Sequence, residues 1–145
     1  MLYVKEYIFR GRRRARGKER RIILLVTLCA AVILLVAADL ISKAAAVSVL
    51  SQTGGALEFI PGLIRFEYHK NTGMAWGLFS NATWVFVVIT IVTGGLIVFI
   101  LLKTLKTMPR NLQLGLALVL SGAIGNLIDR VALGYVRDFI AFDFI

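Results

Sequence analysis

The sequence has few of the residues that cross-link a chain, bind a metal or interrupt a helix. Its 145 residues include one cysteine, one histidine and two prolines. A single cysteine, Cys29, excludes an intramolecular disulfide framework, and with His69 as the one histidine a Cys/His zinc cluster is excluded too. Two prolines are too few for a proline-rich spacer. Acidic residues are also scarce, with 8 Asp and Glu against 17 Lys and Arg.

Apolar residues dominate instead. They make up 59% of the chain, against about 45–50% in soluble domains, so too little polar material is left to cover a core. The net charge of +9 is concentrated in residues 1–21, which hold nine of the 17 basic residues. A polybasic stretch beside an apolar span usually binds anionic lipid, so we expect membrane lipid and no nucleic acid as a partner. The composition predicts a small integral membrane protein with a basic tail.

Three segments approach the length of about 20 mostly apolar residues that a membrane-spanning helix needs. They cover about 22–41, 82–102 and 112–128. The third includes glycines, a serine and Asn126, residues that let helices approach closely inside a bundle. We therefore predict an all-α membrane protein, a transmembrane helix bundle. Its membrane-embedded domain covers residues 22–145, behind a basic tail at 1–21.

The basic residues predict the orientation, because Lys and Arg are retained on the cytoplasmic side of a membrane. The tail and the short link 103–111 are both basic, and two spans between them place them on the same side. We expect a cytoplasmic N-terminus, with segments 42–81 and 129–145 on the outer face. A cleaved signal peptide is the alternative for the N-terminus, but its apolar region is longer than the usual ~7–15 residues and further spans follow.

The outer segment contains a predicted pair of short strands. Residues 57–68 alternate loosely between apolar and polar, and Pro61 with Gly62 marks a turn between the strands. Open strand edges cannot face lipid hydrocarbon, so the pair is expected at the outer interface. Four of its apolar side chains are expected to face the membrane or the bundle: Phe59, Ile60, Leu63 and Ile64.

Ionisable and polar groups in or beside a span are costly, and there they are often functional. Asp39 and Lys43 lie four residues apart, so they share a helix face and can pair. A helix-end ion pair with no further role is the alternative. Asn71 and Gly73 begin a turn in which glycine lets the backbone approach a ligand or another helix closely.

The end of the third span and the segment after it carry further polar residues. One helical face holds Gly122, Asn126 and either Asp129 or Arg130. The side chains of Asn126, Asp129 and Arg130 can therefore converge at the outer membrane boundary, and the alternative is a packing face that ends in a salt bridge. Asp138 follows as a single carboxylate between apolar neighbours, a candidate proton donor or acceptor. One carboxylate is a weak catalyst, whereas two that share a proton can activate water.

Taken in order, four blocks resemble the prolipoprotein signal peptidases, the signal peptidase II family. They are DLISK at 39–43, NTGMAWGLF at 71–79, GAIGNLIDR at 122–130 and GYVRDF at 134–139. The resemblance implies an aspartic endopeptidase of the bacterial inner membrane, which cleaves diacylglyceryl-modified prolipoproteins just before the lipidated cysteine. It also implies a four-helix bundle with a small extracytoplasmic β-cradle over an active site near the outer membrane surface.

The resemblance further implies roles for individual residues. Asp138 matches one catalytic carboxylate. Eight residues match positions that bind substrate or support the site: Asp39, Lys43, Asn71, Gly73, Gly122, Asn126, Asp129 and Arg130. No metal and no cofactor are expected, and the protein is expected to be a monomer.

The sequence departs from the family's pattern in one respect. The family's second catalytic Asp lies in an FN-x-AD block at the start of a fourth span, and neither is present in this sequence. Asp143 is the one carboxylate after Asp138, and its setting does not match that block. We therefore expect a C-terminally truncated member of the family. The alternatives are an inactive remnant of the peptidase and a non-catalytic multi-span protein of transport or assembly.

Overall fold

The computed structural model describes the backbone of residues 2–73 and 83–143, with side chains from residue 18 onward. Helices and strands follow one another in this part of the chain as α1 Leu2–Gln52, β1 Ala56–Ile60, β2 Ile64–Asn71, α2 Thr83–Thr104, α3 Arg110–Leu133 and β3 Val136–Phe142. Residues 74–79 of the NTGMAWGLF block lie outside the described residues.

Three helical stretches of the described chain are long and apolar enough to cross a membrane. They are Lys18–Gln52, Thr83–Thr104 and Arg110–Leu133. The last two overlap the predicted spans closely. The first has 35 residues, which at about 1.5 Å per residue extend roughly 52 Å, against a hydrocarbon core of about 30 Å. The alanine-rich segment after Lys43 favours helix, so α1 continues past residue 41, where the predicted span ends.

The helix α3 contacts both α1 and α2. The buried apolar side chains of α2, of the turn after it and of α3 include Leu101, Leu105, Ala117 and Leu120. The turn between the two helices is closed by the buried Gln113, whose Nε2 donates to the carbonyl oxygens of Leu105 at 2.9 Å and Met108 at 3.0 Å. These hydrogen bonds satisfy carbonyl groups that have no partner within the helix at the C-terminal end of α2.

The strands form one antiparallel sheet in the order β1-β2-β3. The two strands predicted within 57–68 are confirmed as β1 and β2, and Gly62 turns the chain between them with a φ of 71°. The third strand, β3, has no counterpart in the sequence-based prediction and forms by pairing with β2. Phe59 and Leu63 are exposed on this hairpin, and their contact with the membrane stays a prediction.

The junction between α3 and β3 brings a helix end beside the start of a strand. Gly134 follows α3 with a φ of 84°, and its N–H donates to the carbonyl oxygen of Arg130 at 3.0 Å. A left-handed residue at this position ends a helix, and glycine adopts that conformation without steric cost. Because β3 begins two residues later, Asp129 near the end of α3 lies close to Arg137.

Candidate active site

The candidate site begins with Asp138, the third residue of β3, whose side chain is half-buried. Asn71 ends β2 opposite Val136, so it is the diagonal neighbour of Asp138 on the same face of the sheet. Asn71 Nδ2 donates to Asp138 Oδ2 at 2.7 Å. The N–H of the buried Gly73 donates to Asn71 Oδ1 at 3.0 Å, which turns the NH₂ group of this amide towards the carboxylate.

Lys43 is the centre of a second group of polar side chains, and it is only 4% exposed. Its Nζ donates to Asn126 Oδ1 at 2.8 Å, and it lies 2.8 Å from Asp39 Oδ2 and 3.6 Å from Asp129 Oδ2. The predicted pair of Asp39 and Lys43 is therefore present, and it extends from α1 to α3. These partners compensate the buried ammonium for its lost hydration.

Asp129 is 1% exposed and is held by Arg137 through both main chain and side chain. The Arg137 N–H donates to Asp129 Oδ2 at 3.1 Å, while Nε and Nη2 donate to Oδ1 at 3.1 Å and 2.6 Å. A guanidinium that reaches one carboxylate through two nitrogens makes a strong, directional contact. The hydrogen bond to Asp129 is the main cause that raises the pKa of Arg137. Asp129 thus connects Lys43 on α1 to β3.

Gly125 allows α1 and α3 to approach closely at this point. A Cβ atom at residue 125 would clash with Asp39 Oδ2 and lie 2.9 Å from Asp39 Cγ. Asp39 Oδ2 lies within ion-pair distance of Lys43 Nζ, but the angles at this contact do not suit a hydrogen bond. This oxygen therefore accepts no hydrogen bond from the described residues. By contrast, a Cβ at Gly122 would meet no atom of a described neighbour within 4 Å, so the described part of the chain does not crowd this predicted site residue.

Arg130 lies apart from the contacts that Asn126 and Asp129 make with Lys43. Its guanidinium carbon is 5.2 Å from the centroid of the Phe86 ring on α2, a cation–π distance. Adjacent residues on a helix point about 100° apart, so Asp129 faces α1 while Arg130 faces α2. Of the three polar residues predicted to converge at the end of α3, the structure brings two together.

Two tyrosines meet beside this region. Tyr68 Oη donates to Tyr135 Oη at 3.2 Å. This hydrogen bond, together with desolvation, raises the pKa of Tyr68 to about 12. Tyr68 is therefore neutral at physiological pH and is not a candidate base.

Arg137 is a site residue that the sequence analysis missed, although it lies inside the GYVRDF block. Side chains alternate along a strand, so Arg137 and Asp138 point to opposite faces of β3, and the place of Arg137 inside that block is the signal that could have found it. Within the described residues, no three His, Cys, Asp or Glu side chains come together as a metal site requires.

Known proteins resemble this chain in sequence. The signal peptidase (SPase) II family matches residues 31–145. The lipoprotein signal peptidase of Enterococcus faecalis is 42% identical over 122 residues, which cover 84% of this chain and 74% of the relative. The lipoprotein signal peptidase of Streptococcus pyogenes serotype M5 is 42% identical over 113 residues, which cover 76% of this chain and 71% of that protein.

The fold also resembles solved structures. A bacterial membrane enzyme solved by the in meso method at 2.3 Å resolution superposes with a TM-score of 0.64 and 32% identity, over 80% of this chain and 70% of the other. A structure of a bacterial membrane enzyme at 1.9 Å gives a TM-score of 0.62 and 32% identity, over 81% of this chain and 74% of the other. The family match at 31–145 includes both groups of polar side chains.

Proposed function

The chain belongs to the signal peptidase II family, and on this premise we propose that it removes the signal peptides of diacylglyceryl-modified prolipoproteins, cleaving just before the lipidated cysteine. It is an integral bacterial membrane protein, consistent with its three long apolar helices. The observation that carries the proposal is the half-buried Asp138 on the edge strand β3, held by Asn71 at 2.7 Å. We assign Asp138 as one of the two carboxylates of an aspartic peptidase.

Asp138 suits this role because one of its oxygens is available. Oδ2 accepts the hydrogen bond from Asn71, while Oδ1 accepts none from the part of the chain that the structure describes. The available oxygen can bind a water molecule. In the proposed reaction an ionised carboxylate takes a proton from this water as it attacks the scissile carbonyl, and a protonated carboxylate gives a proton to the leaving amine. Asn71 would hold the Asp138 carboxylate in the orientation that this requires.

The second carboxylate of such a pair is not Asp143. Strands rise about 3.3 Å per residue, which places Phe142 at the end of β3 roughly 13 Å from Asp138, and Asp143 comes after it. Two carboxylates this far apart cannot hold one water molecule between them. Asp143 is also engaged elsewhere, since its Oδ1 lies 3.3 Å from a guanidinium nitrogen of Arg65. In the proposal the second carboxylate comes from outside the described residues.

The substrate would reach the site sideways from the bilayer, with its apolar signal helix packed against the spans. The helices leave an apolar groove of about 260 Å³, lined by Leu25, Leu28 and Val32 on α1, by Val98 and Leu101 on α2, and by Leu120 on α3. Its apolar lining can pack against the side chains of a hydrophobic signal helix. We propose a cytoplasmic N-terminus, because the basic tail is retained on that side, and hence a site at the outer face.

Cleavage by a reconstituted full-length version of the protein, in which the second carboxylate is present, tests the proposal. In proteoliposomes with a diacylglyceryl-modified prolipoprotein, the wild-type protein is expected to release the signal peptide, and Asp138→Asn to lower the rate by about 100-fold or more. Asp143→Asn is the matched control, because it makes the same chemical change just after the far end of β3, and it is expected to cleave normally. Cleavage that persists in Asp138→Asn would contradict the role assigned to Asp138, and no cleavage by the full-length wild-type protein would contradict the function.

A further inference from the structure

We propose that Arg137 is a positioning residue for Asp138, an inference that rests on the proposed function. The two residues are consecutive in β3, and the alternation of side chains along a strand directs them to opposite faces. The charge of Arg137 is directed to Asp129 on its own face, at 2.6 Å. Arg137 therefore acts on Asp138 through the backbone that they share.

The contact between Arg137 and Asp129 has two parts. The main-chain N–H donates to one carboxylate oxygen at 3.1 Å, and the guanidinium donates to the other through Nε at 3.1 Å and Nη2 at 2.6 Å. One buried carboxylate thus holds the backbone and the side chain of the same residue. Because one carboxylate holds both the main chain and the side chain, a rotation of residue 137 disturbs both contacts, and this restrains the direction in which β3 presents Asp138.

Asp129 can hold β3 because it is anchored to two helices. It lies on α3, where it is 1% exposed, and its Oδ2 is 3.6 Å from Lys43 Nζ on α1. Lys43 is in turn bound to Asn126 at 2.8 Å and to Asp39 at 2.8 Å. The position of the strand is therefore set by α1 and α3 together.

Asp138 is held from two directions as a result. Asn71 binds its carboxylate from β2 at 2.7 Å, and Arg137 fixes the main chain that precedes it. Asn71 restrains the end of the Asp138 side chain from β2, with which β3 also pairs, whereas the contact of Arg137 with Asp129 ties the strand to the helix α3. A displacement of about 1 Å in a reacting group can cost about 100-fold in rate.

Lysine in place of Arg137 separates positioning from charge. A lysine keeps the positive charge, but its single ammonium cannot bind one carboxylate through two nitrogens in a plane. Arg65 provides a matched control on the same sheet. It is exposed and pairs with Glu67 at 2.8 Å and Asp143 at 3.3 Å, so Arg65→Lys changes the same group away from the site.

The test combines a spectroscopic and a kinetic measurement on the full chain. Selective ¹³C labelling of the aspartate carboxyl carbon in lipid nanodiscs gives one NMR signal for each Asp, and Asp138→Asn identifies the signal of Asp138. We expect a single sharp Asp138 signal in the wild type and in Arg65→Lys, and a broadened or doubled one in Arg137→Lys. In the cleavage assay Arg137→Lys is expected to lower kcat by about 10- to 100-fold and to change KM by less than about twofold.

The outcomes separate this inference from the function on which it rests. A sharp Asp138 signal or an unchanged kcat in Arg137→Lys, with Asp138→Asn inactive, would overturn the positioning role and leave the proposed function standing. Cleavage by Asp138→Asn would overturn the catalytic role assigned to Asp138, and no cleavage by the wild type would overturn the function; in both cases the carboxyl signal would still decide the positioning role. If Arg137→Lys does not fold, the neutral pair Asp129→Asn with Arg137→Gln replaces it. That pair is expected to broaden the Asp138 signal, and a sharp signal overturns the inference.

Discussion

Two groups of polar residues lie at the same end of this protein, and they differ in how fully their charges are satisfied. The buried cluster consists of Asp39, Lys43, Asn126, Asp129 and Arg137. It pairs two carboxylates with two cations. The site pair consists of Asp138 and Asn71, in which a half-buried carboxylate has one described donor. We therefore propose that the buried cluster holds the fold in place, and that Asp138 serves the chemistry through Oδ1, which accepts no hydrogen bond from the described residues.

Lys43→Met is expected to break the buried cluster most severely. It leaves Asp39 and Asp129 without the cation that lies between them, in a place where Lys43 is 4% exposed. Removing one partner of a buried ion pair costs about 3–5 kcal/mol. The free energy of unfolding is measured by titration with SDS in mixed micelles. Lys70→Met removes an exposed lysine that lies over the Tyr135 ring, and this control is expected to cost less than about 1 kcal/mol. Equal stability of the two variants would contradict the account of the cluster.

Gly125→Ala tests how closely the helices that form the cluster must approach. The added Cβ would clash with the Asp39 carboxylate, so either this side chain must leave its place beside Lys43 or the helices must separate, at a cost of about 1–3 kcal/mol. Gly122→Ala is the control on the same helix, because its Cβ would meet open space. Alanine there is expected to be neutral or to stabilise the helix by up to about 1 kcal/mol. A Gly125→Ala protein as stable as Gly122→Ala would show that the close approach of α1 and α3 is not required.

One change of asparagine to alanine in each group sharpens the comparison. Asn71→Ala removes the donor to Asp138 and is expected to lower the cleavage rate by about 10-fold or more, at a cost in stability of about 1 kcal/mol. Asn126→Ala removes a partner of Lys43, and its effect is expected mainly in stability, at about 1–3 kcal/mol. Rates and unfolding free energies are measured for both variants. The reverse pattern would exchange the roles assigned to the two groups.

The smallest expected effect concerns Tyr68, which belongs to neither group. Its folded-state pKa of about 12 lies above the ordinary value of 10.0, so folding favours the protonated phenol. The resulting stabilisation is complete below pH 10.0 and is lost as the pH rises through about 12. Absorbance at the phenolate band, taken as wild type minus Tyr68→Phe, is expected to show one phenol that ionises near pH 12. Ionisation near the ordinary pKa of tyrosine would show that the hydrogen bond to Tyr135 does not raise the pKa of Tyr68.

Local features of the sequence predict the helices and two of the strands. The apolar lengths predict α2 and α3, and the alternation around Pro61 and Gly62 predicts β1 and β2. The strand β3 could not be found in this way. It forms against β2, and Asn71 and Asp138, which meet across that contact, are 67 residues apart. No local pattern contains the information that the two segments meet.

The same limit applies to the site. The spacing of Asp39 and Lys43 predicts their pairing correctly, since both lie on one helix. The bond from Lys43 to Asn126 joins residues 83 apart and depends on the packing of α1 against α3. Helical spacing likewise allows either Asp129 or Arg130 on the converging face. The choice between them is made by the neighbouring helices, because Asp129 meets Lys43 while Arg130 stacks over Phe86 on α2.

The difference between the two groups is tested most directly by comparing Asp138→Asn with Asp129→Asn, with cleavage rate and unfolding free energy measured on the same preparations. The account predicts that Asp138→Asn abolishes cleavage while its unfolding free energy stays within about 0.5 kcal/mol of the wild type. Asp129→Asn, which leaves Lys43 and Arg137 without their shared carboxylate, is predicted to lose about 3–5 kcal/mol. An Asp138→Asn protein that cleaves at the wild-type rate, or that is destabilised as much as Asp129→Asn, would contradict the account.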